Sequence, residues 1–160
     1  MDLFLIRHGI ARDRALCSSD AERPLTSTGK KRTQKVAQRL ADCGARFDLI
    51  LTSPLLRAKQ TADILLAAGL SQAVEVFTPL APMGDLQLWV NWNQVYTYHS
   101  VALVGHQPDL GLWAEQLIWA HAPEKLIVKK AGVIGLKVGD RGSPIGSSEL
   151  FLLTAPKWFL

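Results

Sequence analysis

Cysteine is scarce: Cys17 and Cys43 are the only two in 160 residues. They are too few for a disulfide scaffold and match no zinc-ligand spacing, so both read as free thiols in a reducing compartment. A long apolar N-terminal run is also missing. Asp2 is acidic, Leu3–Ile6 spans four residues and Arg7 closes it, so this stretch does not read as a signal peptide. Residues 86–108 lack Asp, Glu, Lys and Arg. They nevertheless contain Gln87, Asn91, Asn93, Gln94, His99 and His106, and Gly105 and Pro108 interrupt them, so this stretch is not read as a membrane span. A cytoplasmic protein with no membrane partner is expected. With 48% hydrophobic and 20% charged residues, the chain has ample apolar surface to bury, which excludes disorder as its main state. Its length fits one domain over residues 1–160.

Lysine and arginine are absent from residues 61–124, which carry six acidic residues. Residues 1–60 hold twelve bases against six acids, and residues 125–160 hold six bases against two acids, so the net charge of +4 conceals a segregation. Lys31, Lys35 and Arg39 recur at helical spacing and form a solvated face. No aromatic residue interleaves with them, which argues against nucleic acid as a partner and favours a basic pocket for a small anion.

Leu3–Ile6 reads as a buried strand. Thr26 or Ser27 caps a helix that ends near Cys43-Gly44. Asp48–Thr52 reads as a second strand, after which Ser53 as cap and Pro54 at the first position open a helix to about Ala68-Gly69. Val74–Phe77 is a short strand, Gly84-Asp85 opens a helix, and Val101–Val104 is another buried strand. Pro108-Asp109 starts a helix to about Ala120. Strands at Gly132–Val138 and Glu149–Thr154 follow, separated by the Gly/Ser-rich turn Gly139–Ser148. Strands alternating with helices predict an α/β fold, a three-layer α/β/α sandwich with a mainly parallel central sheet.

Ligands of open α/β sheets bind beyond the C-terminal ends of the strands. Arg7, His8 and Gly9 follow the first strand. Ser53, Pro54 and then Arg57 follow the second. Gly105 and His106 follow Val104. Each has an ordinary reading: Arg7 and His8 as a polar exit from a strand, Arg57 as a solvated cation, His106 as a loop histidine bonded to a carbonyl. Arg57 on a first helical turn opposes the macrodipole, a conflict that a bound anion resolves. Two arginines and two histidines delivered to one sheet edge point to an anion site.

Arg7-His8-Gly9 after the first strand resembles the Arg-His-Gly signature of the histidine phosphatase (phosphoglycerate mutase-like) superfamily. Leu25-Thr26 with Gly29, the run from Ser53 to Ala62 containing Arg57, and Val104-Gly105-His106 extend that resemblance. The short length, Leu80–Asp85, Gly105–Leu110 and Lys129-Lys130-Ala131-Gly132 are similar to the SixA-type phosphohistidine phosphatases within it. The resemblance implies that His8 is a phosphorylated nucleophile and that Arg7, Arg57, His106 and Gly9 bind the phosphoryl group, with neither metal nor cofactor. It also implies a phosphohistidine-containing protein as substrate, such as a histidine phosphotransfer domain.

Neutral imidazole is a competent nucleophile, and two guanidiniums with a protonated His106 stabilise a transferring phosphoryl group. Asp85 is both the best-placed general acid and a standard helix N-cap. Trp89, Trp92, Trp113, Trp119 and Trp158 read as packing residues. His99 and His121 receive no role, and a monomer is expected. Two other functions fit the same residues: a phosphatase of small phosphate esters, and a phosphate- or phosphoprotein-binding module without turnover.

Overall fold

The computed structural model describes residues 1–139 and 142–159. Strands β1 (Asp2–Arg7), β2 (Leu49–Thr52), β3 (Val74–Val76), β4 (Ser100–Gly105), β5 (Val133–Lys137) and β6 (Glu149–Thr154) form one sheet in the order β3-β2-β4-β1-β5-β6. Pairs β3–β2, β2–β4 and β4–β1 are parallel, while β5 and β6 close one side antiparallel. Helices α1 (Ser27–Asp42) and α2 (Leu56–Ala67) cover one face, and α3 (Leu86–Val95) and α4 (Asp109–Trp119) the other. The architecture is the expected α/β/α sandwich. Among the described residues no helix is long and apolar enough to cross a membrane.

Side chains of a strand alternate between faces, so a strand covered on both sides must be apolar at every position. In β1, Leu3 and Leu5 pack with Leu51, Leu103, Trp89 and Trp113, whereas Phe4 and Ile6 pack with Val36, Ile50, Ala62 and Val104. Burial of each such side chain contributes on the order of 1.5–3 kcal/mol. Thr26 caps α1, its hydroxyl accepting from the Gly29 amide at 2.9 Å. Gly44, at φ +84°, ends that helix in a conformation that favours glycine.

Helix α2 begins at Leu56, two residues after the position expected from Ser53-Pro54, and Leu55 precedes it with no side-chain cap. The reason lies in the sheet: the Ser53 amide still donates to the Val104 carbonyl at 2.9 Å, so this residue prolongs the strand end. Trp89 and Trp113 are core residues as expected, but Trp119 and Trp158 are exposed. Trp119 is the last residue of α4, and Trp158 lies on a short C-terminal turn, so neither faces a second layer. Trp92 is half-buried and stacks on Tyr98 with ring centroids 5.6 Å apart. Residues 140 and 141 of the Gly139–Ser148 connection lie outside the described residues.

Candidate active site

Parallel register brings the strand ends level. Arg7 stands beside Gly105 and Thr52 beside Val104. The His8 amide donates to the Gly105 carbonyl at 3.0 Å, which seats the residue following β1 against the end of β4. Chain connections run to opposite sides from this β1–β4 boundary, the point where open α/β sheets leave a crevice. A cleft of about 320 Å³ opens there, lined by Arg7, His8, Arg57 and His106. All four strand-end residues singled out in the sequence thus meet. Arg23, Lys130, Gln107 and Asp109, with Pro82, Met83 and Pro108, complete the wall.

The ring of His8 has one orientation open to it. Its Nδ1 lies 2.7 Å from the Gly9 carbonyl oxygen, and a carbonyl only accepts, so Nδ1 carries the proton. Nε2 therefore keeps its lone pair, and the Arg57 Nε–H donates to it at 3.3 Å. Burial, with the charges of His106, Arg57 and Arg7 adding to it, pushes the His8 pKa down to about 3 against the opposing Gly9 bond. The imidazole is neutral across the physiological range.

Arg57 is itself held in place. Nη1 donates to the Asp20 carbonyl at 2.7 Å and Nη2 to the Asp20 carboxylate at 3.1 Å, leaving one N–H on each Nη uncommitted. The other Asp20 oxygen accepts from Arg23 at 2.9 Å. Burial raises the Asp20 pKa, but the bonds and charges of Arg57 and Arg23 outweigh it and hold the carboxyl below its ordinary value. His106 Nε2 lies 2.8 Å from the Ser53 hydroxyl, while its buried Nδ1 has no partner. Burial, followed by the Arg57 charge, pushes His106 down to about 4, so the ring is neutral near pH 7.

Arg7 reaches across the chain, its Nη1 donating to the Val128 carbonyl at 2.8 Å. That loop is pinned from α4 and its approach: Gln107 accepts from the Val128 amide at 3.1 Å, and the fully buried Glu115 carboxylate accepts from the amides of Glu124, Lys125 and Leu126. Burial raises the Glu115 pKa, yet these three amides hold it below the ordinary carboxyl value.

Two expected residues sit elsewhere. Gly9 does not line the cleft; its amide donates to Thr61 Oγ1 at 3.0 Å, and a Cβ there would collide with Thr33 of α1. Asp85 caps α3, its Oδ1 accepting from the Gln87 amide at 2.8 Å, and lines the neighbouring depression. The carboxyl inside the cleft is Asp109, which burial pushes up while its bond from the Met83 amide opposes. Arg23, Lys130, Asp20, Ser53 and Asp109 were given no site role by the sequence reasoning. The Lys129–Gly132 run was the one available signal for Lys130. Among the described residues no three His, Cys, Asp or Glu side chains converge as a metal site.

Residues 3–81 match the histidine phosphatase superfamily (branch 1). The phosphohistidine phosphatase SixA of Escherichia coli is 30% identical over 148 residues, spanning 89% of this chain and 90% of that one. The chain belongs to the histidine phosphatase superfamily and is a phosphatase of that class. An uncharacterised protein of Picosynechococcus is 50% identical over 164 residues, covering 100% of this chain and 99% of that protein. The structure of the protein histidine phosphatase SixA complexed with tungstate superposes with a TM-score of 0.87 at 26% identity, covering 100% of both chains.

Proposed function

We propose that this protein removes phosphate from phosphohistidine in a partner protein, through a phosphoryl intermediate on Nε2 of His8 and without a metal. The observation that carries the proposal is the fixed tautomer of His8: a buried neutral ring whose unprotonated Nε2 is held only by a long bond from Arg57, in a cleft lined by Arg7, Arg23, Arg57 and Lys130. A module that only binds phosphate needs the cations and not this orientation. The kinship with SixA and its tungstate complex supports the substrate class, since tungstate is a tetrahedral oxyanion like phosphate.

In the first step His8 Nε2 attacks phosphorus and a P–N bond forms, while the substrate ring, protonated on its other nitrogen, takes the electron pair of the breaking P–N bond and leaves as neutral imidazole. The proton stays on Nδ1, donated in a hydrogen bond to the Gly9 carbonyl, so the phosphorylated ring is already protonated. In the second step water attacks phosphorus, the P–Nε2 bond breaks, both water protons leave with the product as dihydrogen phosphate, and His8 departs as neutral imidazole with no external acid. Arg7 and the uncommitted Arg57 N–H groups neutralise the phosphoryl oxygens. A bound dianion favours the protonated form of His106 and supplies the partner that its Nδ1 lacks. Hydrolysis of a phosphohistidine-bearing protein in excess EDTA tests the proposal. Unchanged rates are expected, and loss of activity restored by a divalent cation contradicts it.

A second reading, hydrolysis of small phosphate esters, draws support from Asp109. Expelling an alkoxide requires a proton in the transition state, and a cleft carboxyl with a raised pKa is a suitable donor. Expelling imidazole does not. Asp85→Asn and Asp109→Asn are each expected to leave phosphohistidine turnover within a few-fold of wild type, with wild-type turnover of alkyl phosphates poor. A loss of about a hundredfold on phosphohistidine, the scale of general-acid catalysis, would assign the acid role to the residue replaced. Rapid wild-type turnover of alkyl phosphates favours the second reading.

A further inference from the structure

We propose that a basic groove continuing from the cleft docks an acidic segment of the partner protein, next to the residue that presents the phosphoryl group. The inference rests on the phosphohistidine reading above and names how such a partner is recognised. The groove, of about 440 Å³, runs between α1, the Lys129–Gly132 turn and the C-terminal turn Pro156–Trp158. Arg32, Lys129, Lys130 and Lys157 line it, and no acidic side chain does. Lys130 also lines the catalytic cleft, so the two depressions share a wall.

The lysine turn is anchored on the catalytic strand. The Ala131 amide donates to the carbonyls of Arg7 and His8 at 3.1 and 3.2 Å, and the Arg7 amide donates to Gly132 at 3.1 Å. Ala131 holds φ +59°, a conformation uncommon for a residue with a side chain. The turn therefore stays fixed with respect to His8, with Lys129 and Lys130 both exposed. None of the four groove cations forms an ion pair among the described residues, whereas Arg57 and Arg23 both pair with Asp20. Lys157 lies 5.2 Å from the ring of Trp158. Four like charges around one groove repel one another, and an acidic ligand relieves that repulsion.

The remaining wall selects among anions. Ile10, Ala155 and Pro156 are apolar, which suits the aliphatic stems of Asp and Glu side chains. No aromatic ring lines the groove itself, and the exposed Trp158 at its edge is a single ring, short of the row of stacking platforms that single-stranded nucleic acid uses. The cations stand on three separate elements around an open groove. Charges divided among separate elements suit several carboxylates along a chain better than one compact phosphate.

The test is the charge reversal Arg32→Glu/Lys129→Glu/Lys157→Glu, three exposed residues outside the catalytic cleft, with Lys129→Ala/Lys157→Ala as a milder variant. Two substrates are compared: free phosphohistidine, and a synthetic phosphohistidine peptide flanked by Asp and Glu. The triple variant should lose about tenfold or more in kcat/KM on the peptide, mostly through KM. The wild-type preference for the peptide should fade with added salt. Free phosphohistidine should be turned over within twofold of wild type. Equal kcat/KM on the peptide overturns the groove.

Fluorescence anisotropy with the unphosphorylated acidic peptide decides the matter even if no phosphohistidine is hydrolysed, an outcome that would sink the functional reading alone. Salt-sensitive binding by wild type that the charge reversal abolishes supports the groove. Equal affinity of wild type and variant overturns it, as does preferential binding of a single-stranded oligonucleotide of matched length. Should the triple variant be unfolded by circular dichroism, the same comparisons are made with the double alanine variant, for which a smaller loss in the same direction is expected.

Discussion

Replacing His8 with alanine is expected to abolish turnover, by at least about a thousandfold, the scale seen when a covalent nucleophile is removed. Thermal unfolding should show a folded protein, because the ring makes one bond to its neighbour's carbonyl and one weak contact to Arg57. Near-wild-type activity of His8→Ala would eliminate covalent catalysis. The tautomer has its own readout. Nitrogen NMR should report a His8 ring protonated on Nδ1 alone from pH 7 to pH 5, charging only near pH 3. His8 and His106 are both held below the ordinary histidine value of about 6.5. The unfolded chain therefore takes up protons first as pH falls, and stability should decline from about pH 6.5 downward.

Arg57→Ala is expected to cost on the order of 2–4 kcal/mol in transition-state stabilisation, about 10²–10³ in kcat. The residue touches His8 and Asp20 at once and keeps two N–H groups for the phosphoryl oxygens, a fork that lysine does not reproduce. Arg57→Lys should therefore recover little. Asp20→Asn should cost less, since the backbone carbonyl of residue 20 still receives Nη1. Steady-state kinetics on the three variants checks this ordering. Retention of more than about a tenth of kcat in Arg57→Ala contradicts a phosphoryl-binding role on that scale.

What was legible in the sequence followed from local rules. Arg7, His8 and His106 could be placed because each lies within two residues of the end of an apolar run of strand length, and Arg57 because it falls on the first turn after a Ser-Pro. The parallel register then levels those ends without further information. Residues that meet the site from afar carried no such signal. Asp20 reaches Arg57 across 37 positions and Val128 reaches Arg7 across 121, through loops whose path depends on the whole fold. Ser53 was drawn toward a helix cap by its neighbour Pro54, while the sheet retained its amide. Its hydroxyl accepts from the Leu55 amide at 3.3 Å and also contacts His106. His106 was expected to be charged because an anion was expected beside it. Burial and the Arg57 charge act the other way, a balance that depends on how the fold encloses the ring. Composition likewise placed the bases in two terminal segments without indicating that Arg32, Lys129 and Lys157 close on one groove.

The most direct measurement is a rapid quench of wild-type enzyme with a phosphohistidine protein labelled in its phosphate, followed by digestion and location of the label. The account predicts acid-labile, alkali-stable phosphate on His8, bonded to Nε2, formed within the first turnover and decaying at the rate of phosphate release. Full turnover with no phosphoenzyme, or label bonded to Nδ1 or to any other residue, contradicts it.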